Sequence, residues 1–76
     1  MIVAGVVIET QPGRAAAVAD RLGAVPGLAL HGDDGDHRLA AVWCAATGKA
    51  LEGLAEALVA GDEEILGVFP TFAGEV

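Results

Sequence analysis

The sequence predicts an α+β fold, in which a four-stranded antiparallel sheet carries two helices on one face. Four short segments are β-branched or alternate between apolar and polar residues, two others repeat apolar residues at helical spacing, and the order is βαβ followed by βαβ. The chain has 76 residues. We therefore expect a single domain over 1–76, which buries only about 60% of its unfolded surface.

The first half begins with Ile2–Thr10, a short Val- and Ile-rich segment that predicts a central strand because both of its alternating sets are apolar. Pro12 suits the first turn of a helix that we expect to run to about Ala24. Pro26 and Gly27 end this helix. The residues repeating at helical spacing are Ala15, Val18, Leu22 and Val25.

A hairpin over Pro26–Cys44 occupies the centre of the chain. Leu28 and Leu30 alternate with smaller or polar residues before an acidic turn, and Arg38–Cys44 alternates again after it. Trp43 falls on the set that faces the helices, which predicts a core position. The turn residues Asp33, Asp34, Gly35 and Asp36 supply turn chemistry and concentrate negative charge.

The second half begins with Thr47, which is suited to cap a helix ending at Gly61. Its apolar stripe is the more regular of the two, and comprises Leu51, Leu54, Ala55 and Leu58. Ile65–Phe72 is predicted as an edge strand, because Pro70 cannot donate to a sheet ladder. We expect Ala73–Val76 to be a frayed tail.

Two βαβ halves joined by a hairpin predict the split βαβ, or ferredoxin-like, arrangement with strand order 4-1-3-2 and both helices on one face. No segment is left to cover the other face, which predicts a binding partner there. Phe69 is the aromatic residue expected on this face if Pro70 and Phe72 point inward. The predicted binding residues are Val3, Gly5, Val7, Glu9, His31, Ala40, Val42, Gly67, Phe69 and Thr71.

The charge balance restricts the class of partner. Four basic residues against eleven acidic ones give a formal net charge of −7, which opposes binding to nucleic acid or to an anionic membrane surface and favours a basic partner. A single cysteine excludes an internal disulfide and fits a reducing compartment. The N-terminal apolar run lacks a basic flank and is too short to span a bilayer, so we expect a cytoplasmic protein.

No catalytic constellation is evident, and we predict a binding protein without enzymatic activity, metal or cofactor. His31 and His37 flank the acidic turn, but a hairpin tip in water offers no desolvation for acid–base work. Cys44 has no basic neighbour that would activate its thiol. An acylphosphatase-like activity would need an arginine-held phosphate loop, to which Thr10–Arg14 is a poor match.

Several short runs together resemble the NapD family of cytoplasmic chaperones for periplasmic nitrate reductase. They are Val3–Val7, Val25–Gly27 ahead of a strand with His31, Gly35 with Arg38–Leu39, and Ile65–Val68. The resemblance implies a ferredoxin-like fold that binds the twin-arginine signal peptide of a molybdoenzyme precursor, as a helix against the open sheet, before export. The partner would thus be a basic, apolar helix.

Two positions differ from the family pattern: the last strand reads Phe69–Ala73 where members usually continue into Tyr-His, and Cys44 replaces a usual glutamate. The alternative to the chaperone is a small regulatory or oligomerisation module of the same fold, in which two copies pair through their open faces to form a homodimer.

Overall fold

Six elements follow one another in the order βαββαβ, and the computed structural model describes all 76 residues. The elements are β1 (Ile2–Thr10), α1 (Ala15–Leu22), β2 (Leu28–Asp33), β3 (Arg38–Ala45), α2 (Gly48–Gly61) and β4 (Ile65–Glu75). The sheet order is β2-β3-β1-β4, with every neighbouring pair antiparallel. This is the predicted order read from the opposite edge, so the ferredoxin-like α+β fold is confirmed.

The core lies between the sheet and the helices. Ala4, Val6 and Ile8 of β1 are buried, as the alternation of this strand predicts. Trp43 on β3 is only 1% exposed, which confirms its predicted inward position. The remaining buried apolar residues are Ala15, Val18, Leu22, Leu39, Ala41 and Ile65.

The two helices contribute unequally to this core. Three residues of α1 are buried, whereas α2 has none. The expectation that α2 has the better apolar pattern was therefore wrong, since α1 is the more amphipathic of the two helices. Leu54, in the middle of the apolar stripe of α2, is 41% exposed. The N-terminal cap of α2 is as predicted, because Thr47 Oγ1 accepts a hydrogen bond from the backbone N–H of Ala50 at 3.1 Å.

The bounds of α1 differ from the prediction. The helix begins at Ala15 rather than near Pro12, and it ends at Leu22, before Ala24. Gly13 adopts a positive φ of 75°, which interrupts the helical conformation after Pro12. At the other end Gly27, with φ of 78°, makes the left-handed turn into β2 that the sequence predicts.

The C-terminal strand is longer than predicted. β4 extends to Glu75, and Ala73 and Gly74 pair with Ala4 and Val3 of β1. The backbone N–H of Val76 also donates to the carbonyl of Met1 at 2.9 Å. The prediction of a frayed tail was therefore wrong, since these residues find partners along the full length of β1. The predicted edge position of the strand is confirmed.

The acidic hairpin tip is built by its own carboxylates. Asp34 Oδ1 accepts hydrogen bonds from the backbone N–H groups of Asp36, His37 and Arg38, at 2.9, 2.9 and 3.0 Å. The backbone N–H of Arg38, followed by that of Asp36, holds the pKa of the Asp34 carboxyl below its usual range. Asp34 therefore serves the turn itself, as the sequence indicates.

The sequence suggested that the hairpin tip lies in water. In the structure it also contacts another part of the chain. Asp36 reaches the loop between β1 and α1, where its Oδ1 accepts from the backbone N–H of Gly13 at 2.6 Å. Its carbonyl accepts from the N–H of Ala15 at 3.0 Å. These bonds occupy donors at the start of α1, which lacks a side-chain cap of its own. One aspartate of the hairpin thus anchors the first helix.

An ion-pair cluster joins α1 to the connection between α2 and β4. Arg21 Nη2 lies 2.8 Å from both Asp62 Oδ2 and Glu64 Oε1. Arg14 also pairs with Glu64 through its Nε atom. Glu64 therefore has two guanidinium partners, one from the N-cap residue Arg14 and one from the last turn of α1. The cluster links both ends of that helix to the residues before β4.

Glu64→Gln is expected to lower the thermal stability of the fold, by an amount that depends on pH. The guanidinium of Arg14, followed by that of Arg21, holds the pKa of the Glu64 carboxyl below its usual range. A carboxyl with a lower pKa in the folded state stabilises the fold above its unfolded pKa, and this contribution disappears as pH falls through the folded pKa. The Tm of Glu64→Gln should therefore be lower than that of the unaltered protein at neutral pH, and this difference should disappear in acid.

Glu63→Gln is the matched control for this prediction. Glu63 is exposed and takes no part in the ion pairs, yet its substitution changes the net charge equally. We expect its Tm to follow that of the unaltered protein across the pH range. An equal decrease in Tm for Glu63→Gln and Glu64→Gln would contradict a specific role for Glu64.

Candidate functional site

The open face is the side of the sheet turned away from α1 and α2, and no element of the chain covers it. The strand registers place eight of the ten predicted binding residues on this face. The other two are unpaired: Thr71 lies beside Gly5, where its Oγ1 would be 2.7 Å from an added Cβ, and His31 lies in a bulge between Leu30 and Gly32. The registers add Ala29, Gly32, Arg38, Cys44, Phe72 and Gly74 to the ten binding residues, because each is opposite one of them. The open face therefore comprises Val3, Gly5, Val7, Glu9, Ala29, His31, Gly32, Arg38, Ala40, Val42, Cys44, Gly67, Phe69, Thr71, Phe72 and Gly74.

Two phenylalanine side chains on β4 dominate the open face, and each lies over a glycine. A Cβ atom at Gly67 would be 2.7 Å from Cζ of Phe69, and one at Gly5 would be 2.5 Å from Cδ1 of Phe72. The rings therefore lie against the sheet in space that only glycine leaves free. They remain 53% and 57% exposed, respectively. The result is a pair of aromatic side chains on β4 that are exposed to solvent.

Phe72 was expected to point inward with Pro70, and this expectation was wrong. Phe72 is opposite Gly5 while Pro70 is opposite Val6, so Thr71 has no partner on β1 and the register shifts there by one residue. Such a β-bulge reverses the alternation of the residues beyond it. Phe72 is thereby turned to the open face. The glycine at position 5 was the available signal, because it provides the space that a ring requires.

A second irregularity shapes the outer part of the open face. His31 has no partner on β3, because Leu30 is opposite Ala41 and Gly32 is opposite Ala40. A depression of 420 Å³ lies beside this bulge. It has an apolar floor with charged residues around it, and its lining residues are Val7, Gly32, Asp33, Asp34, Arg38, Leu39 and Ala40.

The charges of the open face are concentrated at one end. Glu9 is half-buried, lies opposite Arg38 on β3 and Gly67 on β4, and takes part in none of the side-chain hydrogen bonds or ion pairs of the fold. Asp33 and Asp34 border the adjacent depression, although Asp33 is opposite the buried Leu39 and so belongs to the helix side of β2 by register. Carboxylates therefore outnumber the single guanidinium of Arg38 at this end, which suits a cationic group of a partner.

The opposite end of the open face is apolar. Val3 of β1 pairs with Cys44 on β3 and with Gly74 on β4. Cys44 is a free, partly buried thiol. Nowhere in the chain do three or more His, Cys, Asp or Glu side chains gather in a group that could hold a metal ion. The geometry of this face therefore suits the binding of an apolar surface, with a polar contact at the Glu9 end.

Two other concave regions lie on the side of α2, and the first of them reaches Gly67 and Phe69 at the edge of the open face. A groove of 460 Å³ follows the outer edge where α2 meets β4, and Val59, Leu66 and Phe69 contribute to its walls. A cavity of 250 Å³ separates α2 from the sheet beside Trp43. Trp43 Nε1 is buried without a hydrogen-bond partner. These features show that α2 packs loosely, in agreement with its lack of buried residues.

The fold and this surface together define a small ferredoxin-like α+β domain with one uncovered sheet face. In comparisons with known proteins, no family model, no curated protein sequence and no solved structure matches the chain. None of its helices has the length and apolar character needed to cross a membrane.

Proposed function

We propose that this protein is a cytoplasmic chaperone that binds the twin-arginine signal peptide of a nitrate reductase-like molybdoenzyme precursor before export. The open face is the docking surface. The observation that carries the proposal is the pair of exposed rings, Phe69 and Phe72, on a sheet face without a covering element. The resemblance of the sequence to the NapD family supplies the class of partner, and no catalytic role is proposed.

The apolar character of the open face supports an apolar partner. Exposed aromatic side chains with few rotatable bonds are typical anchors in protein interfaces, because they bury a large area at a low cost in conformational entropy. Phe69 and Phe72 are held over Gly67 and Gly5, so they are already placed before a partner arrives. Preorganisation of this kind favours affinity.

The charge of the chain supports a basic partner. The formal net charge is −7, and the carboxylates of Glu9, Asp33 and Asp34 lie at or beside one end of the open face. A twin-arginine peptide combines two guanidinium groups with an apolar stretch, and arginine binds carboxylates through two parallel hydrogen bonds. Both features of such a peptide therefore have a counterpart on the same face.

Titration calorimetry with a synthetic twin-arginine signal peptide tests this function. We expect heat of binding for the native peptide, and weaker binding when both arginines are replaced by lysine, because lysine cannot reproduce the planar two-bond geometry. A peptide of the same composition in scrambled order is the control. Absence of binding to the native peptide, or equal binding of the scrambled one, would contradict the proposal.

A second candidate is a regulatory or oligomerisation module that forms a homodimer through its open faces. The exposure of Phe69 and Phe72 favours it, because two uncovered sheet faces stack about 10 Å apart in face-to-face packing. The acidic charge of each copy opposes this pairing. Light scattering over a range of concentrations separates the two functions: a dimer that dissociates when the signal peptide is added supports both uses of the face, and a monomer at all concentrations excludes the second.

A further inference from the structure

We propose that the open face binds its partner helix in one polarity, with the N-terminal, cationic end at Glu9 and the apolar stretch running along β1 toward Cys44. This inference rests on the proposed function and adds the direction of the bound segment. It also assigns Glu9 as the residue that selects arginine.

The first step concerns the backbone of the partner. The open face is the face of a sheet, so its backbone N–H and C=O groups are already used between strands or lie at the two edges. A segment that buries itself on this face must therefore satisfy its own backbone hydrogen bonds. A helix does this within a single segment, whereas an extended peptide does not.

The second step concerns charge. The two ends of the open face differ. Glu9 lies at one end, opposite Arg38 and with Asp33 and Asp34 beside it, and the uncharged pair Val3 and Cys44 lies at the other. A helix carries about half a positive charge at its N-terminus from aligned peptide dipoles. That end is attracted to the carboxylates of Glu9, Asp33 and Asp34, and arginines near it add to the attraction. Helix dipole and side-chain charge therefore favour the same polarity.

The third step concerns the availability of Glu9. The other well-placed carboxylates have internal partners: Asp34 holds the hairpin turn, and Asp33 Oδ1 accepts from the backbone N–H of Gly35 at 2.7 Å. Glu9 is half-buried on an otherwise apolar strand face and has no such partner. Arg38 is opposite Glu9 in the register but makes no ion pair with Glu9. Its positive charge therefore repels an incoming guanidinium without occupying the Glu9 carboxylate.

The fourth step concerns length. Glu9 and Val3 are six positions apart on β1, which corresponds to about 20 Å in a strand. A helix covers about 20 Å in roughly 13 residues. An apolar stretch of that length, starting just after the arginines, would end beside Val3 and its neighbour Cys44.

The test of polarity uses Cys44, which is the only cysteine of the chain. Two peptides carry Arg-Arg followed by an apolar helical stretch, and each has one cysteine as a mixed disulfide with 2-thiopyridine. In the first the cysteine lies about 13 residues after the arginines, and in the second it directly precedes them. Attack of the Cys44 thiolate on the peptide sulfur forms the new disulfide and releases thiopyridone, which is measured by its absorbance.

We expect the first peptide to release thiopyridone at least about tenfold faster than the second, because only its cysteine is placed beside Cys44. Faster reaction of the second peptide, or equal rates, would overturn the proposed polarity. Calorimetry with the peptides lacking cysteine is run in parallel. If they bind while the rates show no preference, the polarity is wrong and the proposed function survives; if they do not bind, the proposed function itself fails.

The role of Glu9 is tested by Glu9→Gln, with Asp20→Asn as its control. Asp20 is an exposed carboxylate on α1, away from the open face, so both variants lose one negative charge. We expect Glu9→Gln to weaken binding of the Arg-Arg peptide about tenfold, as for the loss of a charged hydrogen bond, and Asp20→Asn to change it little. Arg38→Gln should strengthen binding. Equal effects of the two carboxylate variants, or weaker binding for Arg38→Gln, would overturn the assignment.

Discussion

Trp43→Ala is expected to lower the free energy of unfolding by about 3–5 kcal/mol, the range found for removing a buried tryptophan side chain. Trp43 is only 1% exposed and is among the largest fully buried side chains of the chain. A domain of 76 residues has a total stability of roughly 4–11 kcal/mol, so this single change removes a large part of it. Urea unfolding followed by circular dichroism should show a lower midpoint with an unchanged slope.

Trp43→Phe is the matched variant for this prediction. The indole Nε1 is buried without a hydrogen-bond partner, and such a group costs about 1–3 kcal/mol in desolvation. Phenylalanine keeps most of the buried ring and removes that unpaired donor, so we expect a stability within about 1 kcal/mol of the original protein. A loss as large as that of Trp43→Ala would contradict this prediction.

Local pattern was sufficient to predict most of the fold. The bounds of β1 were predicted as Ile2–Thr10 and are confirmed, because a β-branched segment between turn residues has few alternatives. The cap at Thr47 and the end of α2 at Gly61 also follow from adjacent residues. The strand order then follows from right-handed crossovers, which leave one way to arrange two βαβ halves in a sheet.

The candidate site was predicted less completely, because part of it depends on contacts between distant residues. The bulge at Thr71 is a property of the pairing between β1 and β4, and no periodicity within β4 alone reports it. The same applies to Asp36, whose bond to Gly13 spans 23 residues. Sequence pattern thus placed Phe69 on the open face, but it placed Phe72 on the wrong one.

The packing of α2 shows a further limit of prediction from the sequence pattern. Its regular apolar stripe predicts a well-buried helix, yet Leu54 and Val59 are 41% and 37% exposed. A cavity of 250 Å³ lies between α2 and the sheet beside Trp43, whereas Ala15, Val18 and Leu22 of α1 are buried. Periodicity therefore gives the side of a helix that faces the core, whereas the depth of burial depends on the volumes of the side chains between the layers.

Gly5→Ala is expected to remove most of the peptide binding while the protein stays folded. The added Cβ would overlap the ring of Phe72 and lie 2.7 Å from Oγ1 of Thr71. Because Phe72 is 57% exposed, its ring can rotate away, and alanine is at least as compatible with a strand as glycine. Displacement of an aromatic anchor should weaken binding by about 1–3 kcal/mol, or roughly 5- to 150-fold, in calorimetry with the twin-arginine peptide.

The displaced ring of Phe72, rather than the new methyl group, is responsible for this loss of binding. Phe72→Ala alone should therefore weaken binding to a similar extent, and adding Gly5→Ala to it should have little further effect, since the ring that Gly5→Ala displaces is then absent. Gly53→Ala is the control, because a Cβ at this exposed helical position meets no atom within 4 Å. If the losses of binding free energy were additive in the double variant, Gly5 and Phe72 would act independently. Gly5 would then contribute to binding in some way other than leaving space for the ring of Phe72.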